Sequence, residues 1–215
     1  MKQTLTTTEM IELIAELQEL APNRPLSYGE SLQVARLQAA RLRELLNATE
    51  QPDIVLTWLI RQKHLPVHFV PSIKLDGGNG SGLTTNANDN KVQIYINESE
   101  PSVRQRFSLL HEFKHALDFK EFDTLSARLG SGNPERQRLQ VELICNEFAA
   151  QALMPATMVK RVWSTMHDIE VTALFFNVSA EAMRTRLSRL GLIDRPATRT
   201  FLRSAGNLKQ TACCI

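Results

Sequence analysis

Residues His111-Glu112-Phe113-Lys114-His115 place two imidazoles four positions apart inside a segment of helical periodicity, and no other feature constrains the chain as much. On a helix of about 3.6 residues per turn the two side chains lie about 40° apart around the axis, so both can reach one ion. Glu112 lies beside that face and can hold a water against the ion. Catalytic zinc takes three protein ligands and keeps a fourth position open. A fold that uses this spacing must therefore bring a third ligand from elsewhere. The competing reading is a surface helix with two ordinary histidines.

Two nearby carboxylates and one distant one are candidates for that ligand. Glu121 stands where one class of zinc proteases places a third histidine, but that class turns the chain at a glycine, and here the position is Asp118. Asp118 shares the histidine face and reads better as a hydrogen-bond partner of a ligand histidine. The helical segment Val141–Leu153 offers Glu142. On a wheel of about 100° per residue, Val141, Ile144, Cys145, Phe148 and Ala152 form one apolar arc. Gln140, Glu147 and Gln151 form a polar edge. Glu142 and Asn146 fall instead with Leu139, Ala149 and Leu153 on a second, inward arc. A carboxylate there needs compensation, because burying an unpaired charge costs several kcal/mol. A zinc ion supplies it, with Asn146 one turn on to hold a histidine; a salt bridge to Arg104 or Arg106 is the other solution.

The rest of the chain alternates between two periods. Helices are expected from Thr8 to about Ala21, over Tyr28–Leu46, and near Ile54–Lys63. Strands are expected at Pro66–Val70, Leu83–Thr85 and Lys91–Ile96, separated by the glycine-rich turn Asp76–Gly82 and by 86–90. The motif helix opens at Pro101 and runs to about Phe119. A loop over 122–134 precedes a long helix, Glu135–Leu153, which stops before Pro155. Short helices follow at about 157–164, 169–176 and 180–190. The organisation expected is a helical N-terminal part, 1–50, and a metal-binding core, 51–156, with residues from about 30 as a candidate extension. A helix-turn-helix-like unit at 157–195 and a flexible tail at 196–215 complete it.

Composition excludes several classes. The 215 residues are 43% apolar and 22% charged, as in ordinary globular proteins. No apolar run approaches the ~18–20 residues of a membrane span. The N-terminus carries no basic-then-apolar signal, and the three cysteines, Cys145, Cys213 and Cys214, imply no disulfide framework. A cytoplasmic protein without membrane contact is expected. The net charge of +2 is uneven, since residues 156–215 hold nine Lys/Arg against four Asp/Glu. That basic part, with Arg184, Arg186 and Arg189, allows a weak nucleic-acid contact.

Two segments together resemble a known family. Arg106-Phe107-Ser108-Leu109-Leu110-His111-Glu112-Phe113-Lys114-His115 is similar to the core of ImmA/IrrE-type metallopeptidases. So is Glu142-x-x-Cys145-Asn146-x-Phe148-Ala149-Ala150-x-Ala152-Leu153-Met154-Pro155. Ser81-Gly82 before a strand fits as well, as do Phe176–Leu187 and Leu190-Gly191-Leu192 at the family's usual helix-turn-helix tail. Phe113-Lys114 departs from the usual Leu-Gly. The resemblance implies an α+β fold: a mainly helical, zincin-like core with a small antiparallel three-stranded sheet, then the small helical unit. It implies His111, His115 and Glu142 as zinc ligands and Glu112 as catalytic base, in an endopeptidase that cuts a helix-turn-helix repressor. Tyr95 and His167 are the candidates for a further oxyanion donor. The alternative is a DNA-binding or protein-sequestering regulator whose metal site is vestigial.

Overall fold

A computed structural model describes residues 5–54, 56–61, 65–71, 80–87 and 91–194. The chain begins with two capped helices. In α1 (Thr7–Glu19) the Thr6 hydroxyl accepts from the Glu9 N–H while Glu9 reaches back to the Thr6 backbone. Ser27 and Glu30 do the same for α2 (Tyr28–Leu45). These reciprocal caps satisfy backbone donors that the first helical turn leaves unpaired. After the short α3 (Thr57–Ile60) come β1 (Val67–Val70), β2 (Gly82–Ala87) and β3 (Lys91–Asn97). The motif helix α4 (Ser102–Asp118) follows, then α5 (Phe122–Ser126) and the long α6 (Pro134–Leu153). Asn133 caps α6, with Pro134 in its first turn. Helices α7 (Ala156–Met166), α8 (Ile169–Phe175) and α9 (Ala180–Arg189) close the described chain.

The α+β architecture matches the expectation, with one correction in the sheet. The strand order is β1-β3-β2, and the sheet is mixed rather than antiparallel. β2 pairs antiparallel with β3, from Gly82↔Ile96 to Ala87↔Lys91, while β1 pairs parallel with β3, from Val67↔Ile94 to Val70↔Asn97. Chain path explains the difference. Only 88–90 separate β2 from β3, which suits an antiparallel hairpin; β1 reaches β3 in the sequence only through β2, so no tight turn forces that pair to be antiparallel. The turns expected at Asp76–Gly82 and 86–90 fall largely outside the described residues, as do Cys213, Cys214 and the tail 196–215. The segment 122–134, expected as a loop, instead holds α5 and a 3-10 turn, Leu129–Gly132.

One apolar cluster runs from Met10 on α1 through Leu42, Trp58, Ile94, Leu110 and Phe148 to Leu187 on α9. Phe113, inside the motif, sits at its centre. Its ring meets Trp58 edge-on at 5.6 Å and lies 6.1 Å from Phe148. Helix α4 thus has the sheet on one side and α6 on the other. Among the described residues no helix is long and apolar enough to cross a membrane.

Two buried arginines tie the helices together. Arg43 donates to the Ala152 carbonyl at 2.7 Å and the Ala48 carbonyl at 2.6 Å. Arg186, 3% exposed, donates to the Met154 carbonyl at 3.0 Å and to Glu147 at 3.3 Å. Glu147, expected on the polar edge of α6, is therefore buried between Arg186 and Arg36. Removing one partner of a buried pair leaves the other charge stranded, at a cost of ~3–5 kcal/mol. Arg186→Ala should sit near the lower end, about 3 kcal/mol, because Arg36 still faces Glu147. A urea melt of the variant against the parent measures it, and a loss under about 1 kcal/mol would mean that water replaces the pair readily.

Candidate metal centre

Three donors converge where α4 faces α6. His111 Nε2 lies 3.1 Å from His115 Nε2. Glu142 Oε2 lies 3.1 Å from His111 Nε2, and Glu142 Oε1 lies 3.4 Å from His115 Nε2. Ligands bonded at ~2.0–2.2 Å around a tetrahedral zinc are spaced about 3.3 Å apart; the separations here, 3.1–3.4 Å, are of that size, with one carboxylate oxygen of Glu142 toward each histidine. Asn146 Oδ1 is 2.8 Å from His111 Nδ1. A proton on Nδ1 satisfies that contact and leaves the Nε2 lone pair for a metal. Asn146 is one turn beyond Glu142, so α6 delivers both a candidate ligand and a group that holds the His111 ring.

Electrostatics agree with a site shaped around positive charge. Burial alone would raise the Glu142 carboxyl, but its contacts with His111 and His115 outweigh this and hold it well below the ordinary range. Burial would lower His111, yet Glu142, Glu112 and Asn146 together raise it. The residues present thus fit a divalent ion of zinc type: two imidazoles and an ionised carboxylate, with the Glu142 side chain 54% exposed on the open side. That exposure corrects one step of the sequence reasoning. Glu142 is not on an enclosed face, Leu139 beside it is 53% exposed, and it is distance to both histidines that marks Glu142. Arg104 pairs with Glu100 and Arg106 with Asp53, so neither arginine takes it.

Cys145 is a donor that the sequence reading left on the apolar arc. Its Sγ and the histidine nitrogens lie within 4.8 Å of one another. The residue is 1% exposed, and burial pushes its thiol well above the ordinary range. Glu142 oxygens lie 3.1 and 3.4 Å from the two histidine nitrogens, which makes Glu142 the nearer candidate for the third position.

Other expected residues are placed elsewhere. Asp118 does not hold a histidine; both its carboxylate oxygens accept from the buried Lys114, at 2.5 and 2.6 Å. Glu121 is exposed in a 3-10 turn beyond α4. The Tyr95 hydroxyl donates to Gln93 at 2.9 Å, and its ring stacks on His68. Ile94 and Ile96 on either side are fully buried, so Tyr95 faces away from the core. His167 ends α7 in a left-handed conformation near Trp163. Two residues that the sequence did not single out as catalytic do meet Glu112. Thr84 Oγ1 is 2.7 Å from Glu112 Oε2, and a Cβ at Gly82 would come within 2.8 Å of Glu112 Cγ and Oε1.

The model of the IrrE N-terminal-like domain matches residues 68–188, more than half of the chain. The chain belongs to this family of M78 peptidases. Two curated relatives are the radiation response metalloproteases IrrE of Deinococcus deserti and Deinococcus radiodurans. The first is 39% identical over 66 residues, covering 31% of this chain and 24% of that protein. The second is 36% identical over 93 residues, covering 41% and 28%. The matched part is thus about a quarter of each relative's length. A solved structure titled Mycobacterium tuberculosis transcriptional regulator shares the fold, with TM-score 0.56 and 18% identity, over 87% of this chain and 54% of that one.

Within this M78 member the three arginines of α9 differ in their surroundings. Along α9 Glu181 and Arg189 are exposed, and the Arg184 side chain is 43% exposed. Arg186 is buried, and Arg184 lies 3.9 Å from both Glu170 and Glu181. A recognition helix needs free cationic and polar side chains along its outer face.

Proposed function

We propose that the chain is a zinc-dependent endopeptidase that cuts a regulatory protein, a helix-turn-helix repressor in the first instance. The observation that carries this reading is the triangle of His111, His115 and Glu142 donors at 3.1–3.4 Å, with Glu112 one residue along from a ligand. His111, His115 and Glu142 would hold the metal. A zinc ion bound there acidifies a water and polarises a carbonyl. Glu112 would take the water's proton as it attacks the peptide carbonyl, then deliver it to the departing amine. Asn146 keeps the His111 ring turned with Nε2 inward.

The shape of the site favours an extended protein segment. Among the described residues β2 pairs only with β3, and its other side is an open edge of the kind that accepts an added strand. Leu174, Val171 and Phe175 on α8 are exposed at 81%, 49% and 41%. An apolar outer face suits contact with a protein better than with phosphates.

The test uses the full chain with purified helix-turn-helix repressors from its own genome. One zinc per chain and cleavage that stops with 1,10-phenanthroline and returns with added zinc are expected. No cleavage of any repressor, with no zinc retained on dialysis, would overturn the reading. Capture of a repressor without cutting would instead favour the sequestering alternative.

A further inference from the structure

The general base assigned above is gripped by a strand 28 residues before it. The Ser81 carbonyl accepts from the Asn97 N–H at 3.0 Å, and the register continues as Gly82↔Ile96, Leu83↔Tyr95 and Thr84↔Ile94. In an antiparallel pair, hydrogen-bonded and non-hydrogen-bonded positions alternate. The backbone groups of Ser81 and Leu83 are therefore directed at β3, and those of Gly82 and Thr84 at the open edge. Alternation also sends positions 82 and 84 to one face of the strand, and this is the face over α4. The same two residues thus offer their main chain outward and their Cβ positions to Glu112.

The contact is close on both sides of the carboxylate. Thr84 Oγ1 lies 2.7 Å from Glu112 Oε2 and 3.0 Å from the Glu112 carbonyl oxygen. The hydroxyl has one proton, and the charged carboxylate is the stronger acceptor. At Gly82 the missing side chain is the space that Glu112 fills, since a Cβ would stand 2.8 Å from both Cγ and Oε1. Glu112 is 7% exposed, so its carboxylate is enclosed where Thr84 and Gly82 meet it.

We propose that Thr84 is a positioning residue: its hydroxyl ties Glu112 Oε2 down, and the gap at Gly82 leaves Oε1 as the oxygen that handles the proton. The proposal rests on Glu112 being the base, as proposed above. It adds a link between binding and chemistry, because a substrate strand that pairs with Gly82 and Thr84 presses on the two residues that aim the base. A base works only within about 2.6–3.2 Å of its proton, and a misplacement of about 1 Å can cost about 100-fold in rate.

The experiment compares Thr84→Val, which keeps the shape and loses the hydroxyl, with Thr84→Ser, which keeps the hydroxyl. Carbon-13 NMR of glutamate-labelled full-length protein reads the carboxyl signal of Glu112, identified by its loss in E112Q. That signal should move in Thr84→Val and in Gly82→Ala and stay in place in Thr84→Ser, with and without zinc. On a cleavable repressor, kcat should fall about 10- to 100-fold in Thr84→Val, with KM within about twofold and zinc content unchanged; Thr84→Ser should restore the rate. An unmoved signal with kcat within about twofold overturns the proposal. So does a Thr84→Ser variant as impaired as Thr84→Val, which would make the role one of packing. Should Thr84→Val fail to fold, Thr84→Ala against Thr84→Ser gives the same comparison. The NMR readout needs no substrate, so a wild-type chain that cuts nothing sinks the proposed activity without obscuring the Thr84 result.

Discussion

Glu112→Gln should retain zinc at one per chain and cut at a rate lower by about 100- to 10,000-fold, the range that a positioned general base supplies. The amide has the same shape as the carboxylate and still accepts the Thr84 hydroxyl, so α4 and its two histidines should stay where they are. The amide cannot take up a proton at neutral pH. Steady-state cleavage of a repressor together with metal analysis of the same sample separates the two effects. A variant that cuts at the parental rate would remove Glu112 from the chemistry. A variant that loses its zinc would show that Glu112 helps to hold the ion, and the mechanism would need another base.

The second large effect concerns the third ligand. Glu142 and Cys145 lie three residues apart on α6, and both reach the histidine pair. Glu142→Ala should weaken zinc binding by more than the roughly 10- to 100-fold that loss of a hydrogen-bond partner behind a ligand costs, and should abolish cleavage. Cys145→Ala should change zinc affinity by less than about threefold, because the Glu142 oxygens, 3.1 and 3.4 Å from the histidine nitrogens, fill the third position in the proposed site. Competition against a chelator of known affinity measures both. The reverse order of effects would assign the ion to His111, His115 and Cys145, still three protein ligands with a fourth position open.

The motif helix was legible in the sequence because both its signals are local: a four-residue spacing and a 3.6-residue period. Glu142 became a candidate through its helix, on an argument from burial that the half-exposed side chain does not bear out. Its real mark, closeness to two histidines on another helix, is a tertiary fact. Glu147 looked solvent-facing on the wheel because its partner, Arg186, lies 39 residues on. Lys114 occupies a position where the family has glycine, and the pairing four residues ahead with Asp118 lets it be buried. The parallel pairing of β1 depends on the path of a connection, which strand periodicity does not encode. Thr84 was read as a strand residue and Gly82 as the end of a turn before it, since nothing local ties them to a glutamate 28 positions later.

The Arg186 contact also says where this chain can be cut for study. Helix α9 acts as a dowel driven into the back of α6, five residues beyond Glu142 on the same rod, with its guanidinium seated on the Met154 carbonyl and Glu147. A fragment that ends at Pro155 keeps every metal donor and loses the dowel. It would keep the Arg43 contact to the Ala152 carbonyl but lose that of Arg186 to Met154 and Glu147, and its failure to bind zinc would not by itself count against the donors.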